Sequence, residues 1–395
     1  GLLLMRNRIF LFFLLCSTAA LNAAEINNLY QVEVSVADQG QAERNRAIQV
    51  GFHEILVKVT GNRNIDQKSA LKNEYKKASR YVQQYRYRVQ EKAVSNIQSG
   101  QSSAEKRFLQ VSFDKLAVDR MLRQSGLPVW GKSRPQVLAW VGFEDNGKRK
   151  LLIPEFNPKV VSMLNNLSDD RGIPFLLPLM DLEDQSAVST SDLWGAFENP
   201  IRNASERYGP DIVLLVRVKS VSGNAWVSNW SLLDGEDTRS WEFRGKQLFT
   251  VLQNGIDEMA DLLAQSYAPA GGNQTQVLNI QIDSVKSFAD MLKVQRFLES
   301  QETVQGFQVR AIENDRLILS LNLRGGVQAF SQAVNLSGFL FPEQGALLIP
   351  EVQEVVESPD IEPMGTENQP PEPAGPLSPV VHPLVADIQL FYQMR

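Results

Sequence analysis

Residues 136–153 read Gln-Val-Leu-Ala-Trp-Val-Gly-Phe-Glu-Asp-Asn-Gly-Lys-Arg-Lys-Leu-Leu-Ile, with apolar runs on both sides of Asp145-Asn146-Gly147-Lys148. An Asn-Gly pair between two apolar runs is the strongest short-range signal of a β-hairpin. Further strands are predicted downstream at residues 173–179, 211–218, 225–233 and 240–243. Helices are predicted at residues 159–167, at 192–201 with a kink or end at Pro200, and at 248–263. Residues 136–267 therefore form a predicted α/β domain with two or three layers.

The segment before this domain has a different pattern. Alternating apolar residues predict strands at residues 30–36, 85–89 and 109–113, the last two as an antiparallel hairpin. Apolar residues at helical spacing predict a helix at residues 42–59 that ends near Gly61. A second, polar helix is predicted at residues 67–80, and a third begins after Asp114. This order predicts an α+β domain.

The C-terminal part contains a smaller unit. Residues 278–338 predict the order β-α-β-β-α, which is typical of split-βαβ modules. From residue 343 the pattern stops, and proline, glutamate, glutamine and serine predict a disordered tail. The last sixteen residues are apolar again, so they are either a strand that docks on the body or a recognition segment on a tether.

The complete prediction is a multidomain α+β and α/β protein with mixed sheets, helices packed on them, a small split-βαβ-like C-terminal module and a disordered tail. The predicted divisions are a signal peptide at 1–24, a basic α+β domain at 25–135, an α/β domain at 136–267, a linker at 268–276, the small module at 277–342 and the tail at 343–395.

The N-terminus predicts export. Met5 to Arg8 is a short basic segment, residues 9–15 are apolar, and small residues follow up to Ala24. This is the pattern of a secretory signal peptide, and it predicts a periplasmic or otherwise exported protein with no transmembrane segment in the mature chain. Cys16 raises the alternative of a lipoprotein, which the preceding Leu15 disfavours.

Composition excludes several chemistries. His53, His382 and Cys16 are the only histidines and cysteine of the 395-residue chain, so neither a zinc site nor a thiol nucleophile is predicted. No cofactor-binding motif is present, and no cofactor is expected. Carboxylate pairs remain, because glycosidases need two acids that are close in space but not in sequence. Acidic residues and four tryptophans in residues 169–241 leave that alternative open, although core packing explains the tryptophans more simply.

Charge is unevenly distributed along the chain. The net charge is +8 for residues 25–135, −8 for residues 136–350 and −7 for residues 351–395. The candidate binding residues belong to the basic segment, and they are Lys76, Lys77, Arg80, Arg86 and Arg88. The alternating pattern places Arg86 and Arg88 on one strand face. We expect this surface to contact an envelope protein or an anionic envelope surface, and export argues against nucleic acid.

Several segments together resemble a known family. They are residues 32–36, 51–62, 81–87, 129–141, 213–218 and 230–235. They are similar to an uncharacterised family of exported proteobacterial proteins, a domain-of-unknown-function family, over roughly residues 30–267. The resemblance implies a Gram-negative envelope context and no assigned activity.

The functional expectation is an exported, non-enzymatic envelope protein that acts by binding, in assembly, scaffolding or regulation. The alternative is an envelope hydrolase that uses two carboxylates, with cell-wall glycans as its substrate.

Overall fold

The computed structural model describes residues 29–90, 106–221, 225–268, 275–343 and 388–394. In this part of the chain, three sheets of mixed strand orientation and ten α-helices form a mixed α+β protein, which confirms the predicted fold class. The predicted signal peptide, most of the linker and most of the tail lie outside the described residues. The exact domain boundaries stay predictions.

The first module contains a three-stranded antiparallel sheet in the order β1-β3-β2. Its elements are β1 (Gln31–Val36), α1 (Gln41–Thr60), α2 (Lys72–Tyr75), β2 (Val82–Gln90), β3 (Lys106–Phe113) and α3 (Lys115–Gln124). Alternate residues of β1 are buried under α1, where Phe52 is fully enclosed. The opposite sheet face has exposed positions such as Glu33 and Arg88. Gly61 ends α1 with the left-handed backbone conformation that its position predicts.

The predicted polar helix at residues 67–80 is wrong. The chain forms the four-residue α2 between short 3₁₀ turns at Ile65–Gln67, Ser69–Leu71 and Ala78–Tyr81. Ile65, Leu71 and Ala78 are the buried residues of this stretch. The buried residues are thus carried by successive short turns instead of by one continuous helix.

The second module has a six-stranded mixed sheet in the order β5-β4-β7-β8-β9, with β6 paired to β4. Its elements are β4 (Val137–Asp145), β5 (Lys148–Leu151), α4 (Pro158–Arg171), β6 (Phe175–Leu176), α5 (Leu182–Ala187), α6 (Thr190–Gly195), α7 (Glu198–Ser205), β7 (Ile212–Val221), β8 (Ala225–Asp234), β9 (Asp237–Gly245) and α8 (Leu248–Tyr267). Asn146 and Gly147 both have positive φ, as the predicted hairpin turn requires.

Strand β4 shows why this module has three layers. Val137, Ala139 and Val141 face the core under α4 and α8, whereas Leu138 and Trp140 face the core under α6 and α7. A strand that is buried on both faces has a continuous apolar sequence, and β4 has one. The predicted 192–201 helix is instead two helices, because Ser189 caps α6 and the chain breaks at Ala196 in the left-handed region, before Pro200.

The third module confirms the predicted β-α-β-β-α order and adds two strands. Its elements are β10 (Thr275–Asp283), α9 (Phe288–Ser300), β11 (Val304–Glu313), β12 (Arg316–Arg324), α10 (Gly326–Ser337), β13 (Leu340–Pro342) and β14 (Leu390–Met394). The sheet order is β11-β12-β10-β14-β13. Of the two alternatives for the apolar end of the tail, the structure has the docked strand, because Tyr392 and Met394 complete an apolar core.

Two buried arginines join the first and second modules. The Arg134 guanidinium, 0% exposed, donates to five backbone carbonyls, those of Lys58, Trp130, Gly131, Arg171 and Gly172. Three of these carbonyls are at the C-terminal ends of α1 and α4, where the helix dipole favours a cation. Burial lowers the pKa of Arg134 to about 9, which leaves the side chain charged at neutral pH.

The second arginine crosses the same junction. Arg171 donates to the Gly61 carbonyl at 3.0 Å and to the carboxylates of Asp257 and Asp261 at 2.6 and 2.5 Å. Asp261 also pairs with Arg63 of the first module at 2.8 Å. One network of hydrogen bonds and ion pairs thereby connects the C-terminal ends of α1 and α4 with the surface of α8.

A carboxyl group at this junction makes stability depend on pH. Burial, and then the charge of Asp170, raise the pKa of Glu54 above its ordinary 4.5, while Lys58 opposes them. The folded state then binds a proton at Glu54 more tightly than the unfolded state does. The free energy of unfolding therefore falls as pH rises from the ordinary pKa of this carboxyl group through its raised pKa in the folded state. We expect Glu54→Gln to raise the Tm by about 1–3 °C at neutral pH, and the gain to vanish near pH 4.

The measurement is thermal unfolding by circular dichroism at both pH values. Glu155→Gln, at an exposed position, is the matched control and should leave the Tm unchanged. A Glu54→Gln variant that is less stable than wild type at neutral pH would mean that the carboxylate stabilises the junction.

Candidate functional site

The five basic residues singled out in the sequence lie in two places. Arg86 and Arg88 are on the open face of the first sheet, as the alternation predicts, next to Gln110 and Phe108 of β3. Lys76, Lys77 and Arg80 are exposed on the turns between α1 and β2 instead of on a helix. The interpretation that they form one binding surface stays a prediction.

The side chains of the open sheet face already have partners within the protein. Arg88 binds Glu33 through two hydrogen bonds of 2.9 and 2.5 Å, and its guanidinium lies over the Phe108 ring. Arg86 donates to the side-chain oxygen of Gln110 at 2.5 Å. A ligand would have to compete with these contacts, so the open face is a weaker candidate than its charge count indicates.

Two of the acidic residues considered for a hydrolase have structural partners. Asp181 caps α5 and pairs with Arg207 at 3.0 Å. Asp184 is buried, accepts a hydrogen bond from the Tyr208 hydroxyl at 2.5 Å and pairs with Arg207 at 3.1 Å. Of the tryptophans, Trp230 is fully buried and stacks on Trp241 with ring centres 6.2 Å apart. Asp181 and Asp184 therefore stabilise the fold through these contacts.

A large cleft lies where the three modules meet, and it is the stronger candidate. Its volume is about 1410 Å³. It is lined by α3 and residues 130–133 of the first module, by Tyr267 at the end of α8 in the second, and by α9, α10 and the start of β11 in the third. Clefts at domain interfaces are frequent ligand sites, and this one exceeds the usual 300–1,000 Å³ of small-molecule pockets. Its size fits a polymer segment better than a small metabolite.

One carboxylate fastens the third module to the first at the wall of this cleft. Glu302 accepts from Lys115 at 2.5 Å and from Arg123 at 2.6 Å, both on α3. Gly131 packs directly beneath it, because a Cβ there would lie 2.5 Å from the Glu302 Cγ. The buried Asp119 accepts from Lys115 at 2.6 Å and from the Tyr30 hydroxyl at 2.5 Å.

Two groups of this cluster, Lys115 and Tyr30, each keep one protonation state near neutral pH. Burial alone would lower the pKa of Lys115, but its hydrogen bonds to Asp119 and Glu302 outweigh burial and raise that pKa. Burial, followed by the charge and hydrogen bond of Asp119, raises the pKa of Tyr30 well above its usual range. Neither group changes protonation near neutral pH, so they are poorly suited to general acid–base or nucleophilic chemistry.

Cations outnumber acids along the cleft. Among the described lining residues, the basic ones are Lys115, Arg123, Lys132, Lys293, Arg296 and Arg324, and the acidic ones are Asp119, Glu299 and Glu302. Lys132 and Arg296 are exposed, and no described carboxylate pairs with either of them. A concave surface with excess positive charge concentrates anions at its mouth.

Buried polar atoms without partners also belong to the cleft-lining residues. Within the described residues, Arg123 Nε, Trp130 Nε1 and Thr303 Oγ1 are buried and have no hydrogen-bond partner. Each such group costs about 1–3 kcal/mol.

Sequence reasoning missed this site. Lys115, Asp119 and Arg123 recur at four-residue spacing, which predicts one charged face on α3. Nothing in the sequence connects that face to Glu302, which lies 187 residues beyond Lys115. In the described part of the chain, no group of histidine, cysteine, aspartate or glutamate side chains has a metal-binding arrangement. The described helices are all too short or too polar to cross a membrane.

Comparison with known proteins gives a family-model match within the first module. A solved structure described as the crystal structure of an uncharacterized protein shares 14% identity, covering 34% of this chain and 91% of that chain, with a TM-score of 0.18. At that TM-score the similarity carries no argument. None of the curated proteins matches the sequence. Residues 23–131 match the family model Domain of unknown function (DUF8605), which agrees with the expected resemblance to an uncharacterised family, although over a shorter stretch.

Proposed function

We propose that this protein is a non-enzymatic binding protein of the bacterial envelope, and that it holds an acidic segment of a partner protein in the cleft between its three modules. The observation that carries the proposal is the excess of cations along the cleft, with Lys132 and Arg296 exposed and unpaired among the described residues. The envelope location rests on the N-terminal sequence pattern alone.

Size and charge together favour an acidic peptide as the ligand. An extended peptide fills a long cleft, and its carboxylates accept hydrogen bonds from lysine and arginine side chains. The fixed charge of Lys115 fits a binding surface, since its hydrogen bonds to Asp119 and Glu302 keep that amine protonated.

Charge reversal in the cleft tests the proposal. The probe is a fluorescent peptide of alternating glutamate and glycine, and its affinity is measured by fluorescence anisotropy. We expect the double variant Lys132→Glu/Arg296→Glu to weaken binding by about tenfold or more, equivalent to about 1.4 kcal/mol. Wild-type binding should also weaken as salt rises, because exposed charges are screened within about 8 Å at physiological ionic strength.

The matched control is Lys148→Glu/Arg310→Glu, which reverses one lysine and one arginine at exposed positions outside the cleft lining. It changes the net charge equally, so a similar loss in both double variants would show that only overall charge matters. Binding of anionic phospholipid vesicles that depends on Arg86 and Arg88, with no peptide binding, would overturn the cleft proposal in favour of a membrane surface.

A further inference from the structure

The C-terminal strand β14 occupies an unusual place in the third module. The consecutive elements β10-α9-β11-β12-α10-β13 already form a complete split-βαβ arrangement. In such an arrangement the first and last strands are sheet neighbours, but here β14 lies between them. The strand comes from beyond residues 343–389, so it is inserted into a unit that precedes it in the chain.

The insertion is hydrogen-bonded on both sides. Strand β14 runs parallel to β10, from the pair Ile280 and Leu390 to the pair Asp283 and Gln393. On its other side it runs antiparallel to β13, where Leu340 faces Met394. Two further backbone hydrogen bonds hold the segment on its two sides. The Gln389 N–H donates to the Asn279 carbonyl at 2.9 Å, and the Glu343 N–H donates to the Phe391 carbonyl at 3.1 Å. The slot between β10 and β13 is therefore specific for one extended segment.

Side chains of β14 also enter the core. Tyr392 and Met394 are 2% and 8% exposed, and the Tyr392 ring meets Phe330 edge-on with ring centres 6.3 Å apart. Fully burying side chains of this size stabilises by about 1.5–3 kcal/mol each. Residues 388–394 contain no charged residue, so the segment would expose an apolar strand whenever it left the slot.

We propose that the slot between β10 and β13 also accepts the β14 strand of a second copy of this chain, so that two copies exchange C-terminal strands reciprocally. Every backbone and side-chain contact of β14 with β10 and β13 is available unchanged to the identical strand of another molecule. A reciprocal exchange closes a two-fold dimer in which neither slot is left empty, which is the usual outcome of swapping an element between identical chains.

The fit of side chains favours a second copy over an unrelated strand. Tyr392 and Met394 fill the core positions next to Phe330 and Leu340. A strand of different sequence would have to supply residues of the same size at the same alternate positions, because the two faces of a strand differ. The identical strand meets that requirement without adjustment.

Disulfide trapping tests the exchange. Gln281 and Phe391 are register partners on β10 and β14. Chains carrying Gln281→Cys are mixed with chains carrying Phe391→Cys, both in a Cys16→Ser background that removes the only native cysteine. The mixture is unfolded, refolded and oxidised. We expect a disulfide-linked heterodimer whose yield rises with chain concentration and exceeds the control several-fold.

The control mixture pairs Phe391→Cys with Glu236→Cys, at an exposed turn position of the second module, and reports random collision. A chain carrying both Gln281→Cys and Phe391→Cys should close its disulfide internally at low concentration. If it closes but the mixed chains link no better than the control, β14 stays in its own chain and the proposal is overturned. If it does not close, the pairing of β10 with β14 is wrong and the proposal fails with it.

Wild-type protein gives a second readout that needs no substitution in the slot. Refolding at high concentration should produce dimers, detected by native mass spectrometry, that persist after dilution because exchange requires β14 to leave the sheet. Monomers at every concentration would contradict the proposal.

Discussion

Replacing Arg134 by leucine is expected to cost more than about 4 kcal/mol of unfolding free energy, enough to prevent folding in many proteins of ordinary stability. Five backbone carbonyl oxygens lose this donor at once, three of them in buried hydrogen bonds, and each buried group left without a partner costs about 1–3 kcal/mol. Leucine offers no replacement hydrogen bond, and it removes one of the cations at the C-terminal ends of α1 and α4.

Urea unfolding, followed by circular dichroism, measures the effect. Arg134→Lys should be intermediate, because an ammonium has three donors for five acceptors. Arg149→Leu is the matched control: that arginine is half exposed, pairs with Glu144 at 2.8 Å, and should cost less than about 1 kcal/mol. Equal losses for Arg134→Leu and Arg149→Leu would mean that the junction tolerates the missing donors.

Gly255→Ala is expected to destabilise the second module, although alanine is the better helix former by about 1 kcal/mol. A Cβ at this position of α8 would lie 1.9 Å from Cε2 of Trp230. Two contacts hold the indole in place: it stacks on Trp241 and donates to the Ser228 hydroxyl at 2.9 Å, so it cannot move away from the added methyl group without losing them. Overpacking of this kind costs about 1–3 kcal/mol.

Thermal unfolding, with near-ultraviolet circular dichroism to report the tryptophan environment, measures this change. Gly306→Ala is the control, because a Cβ there meets no atom within 4 Å. The control should stay within about 0.5 kcal/mol of wild type. A Gly255→Ala variant more stable than wild type would show that helix propensity dominates and that the contact with Trp230 relaxes freely.

The local part of the fold could be predicted from the sequence. Asn146 and Gly147 specify their turn through positive φ, and apolar spacing alone specifies α1 and α8. The prediction failed where distant residues decide the outcome. The segment at residues 67–80 forms short turns instead of one helix, and the choice between the two alternatives for the apolar end, of which β14 is the docked strand, depends on β10 and β13 as its partners.

The candidate site depends even more on distant contacts. The basic residues chosen from the sequence were identified by charge, yet Arg88 is already paired with Glu33 across the sheet. The cleft requires α3, residues 130–133 and α9 to meet, and Glu302 joins two of these parts. Charge spacing on α3 indicates a polar face, but only the packing of the three modules shows that this face lines a cleft.

Photocrosslinking from within the cleft tests the central claim most directly. Photoreactive p-benzoylphenylalanine replaces Leu116, an exposed residue of the cleft lining, and in a second variant replaces Phe156, an exposed residue outside it. Both variants are irradiated with the acidic glutamate–glycine peptide, and the products are located by mass spectrometry. An acidic segment held in the cleft predicts covalent capture from position 116 with little from position 156, and capture that is equal at the two positions, or confined to 156, would contradict it.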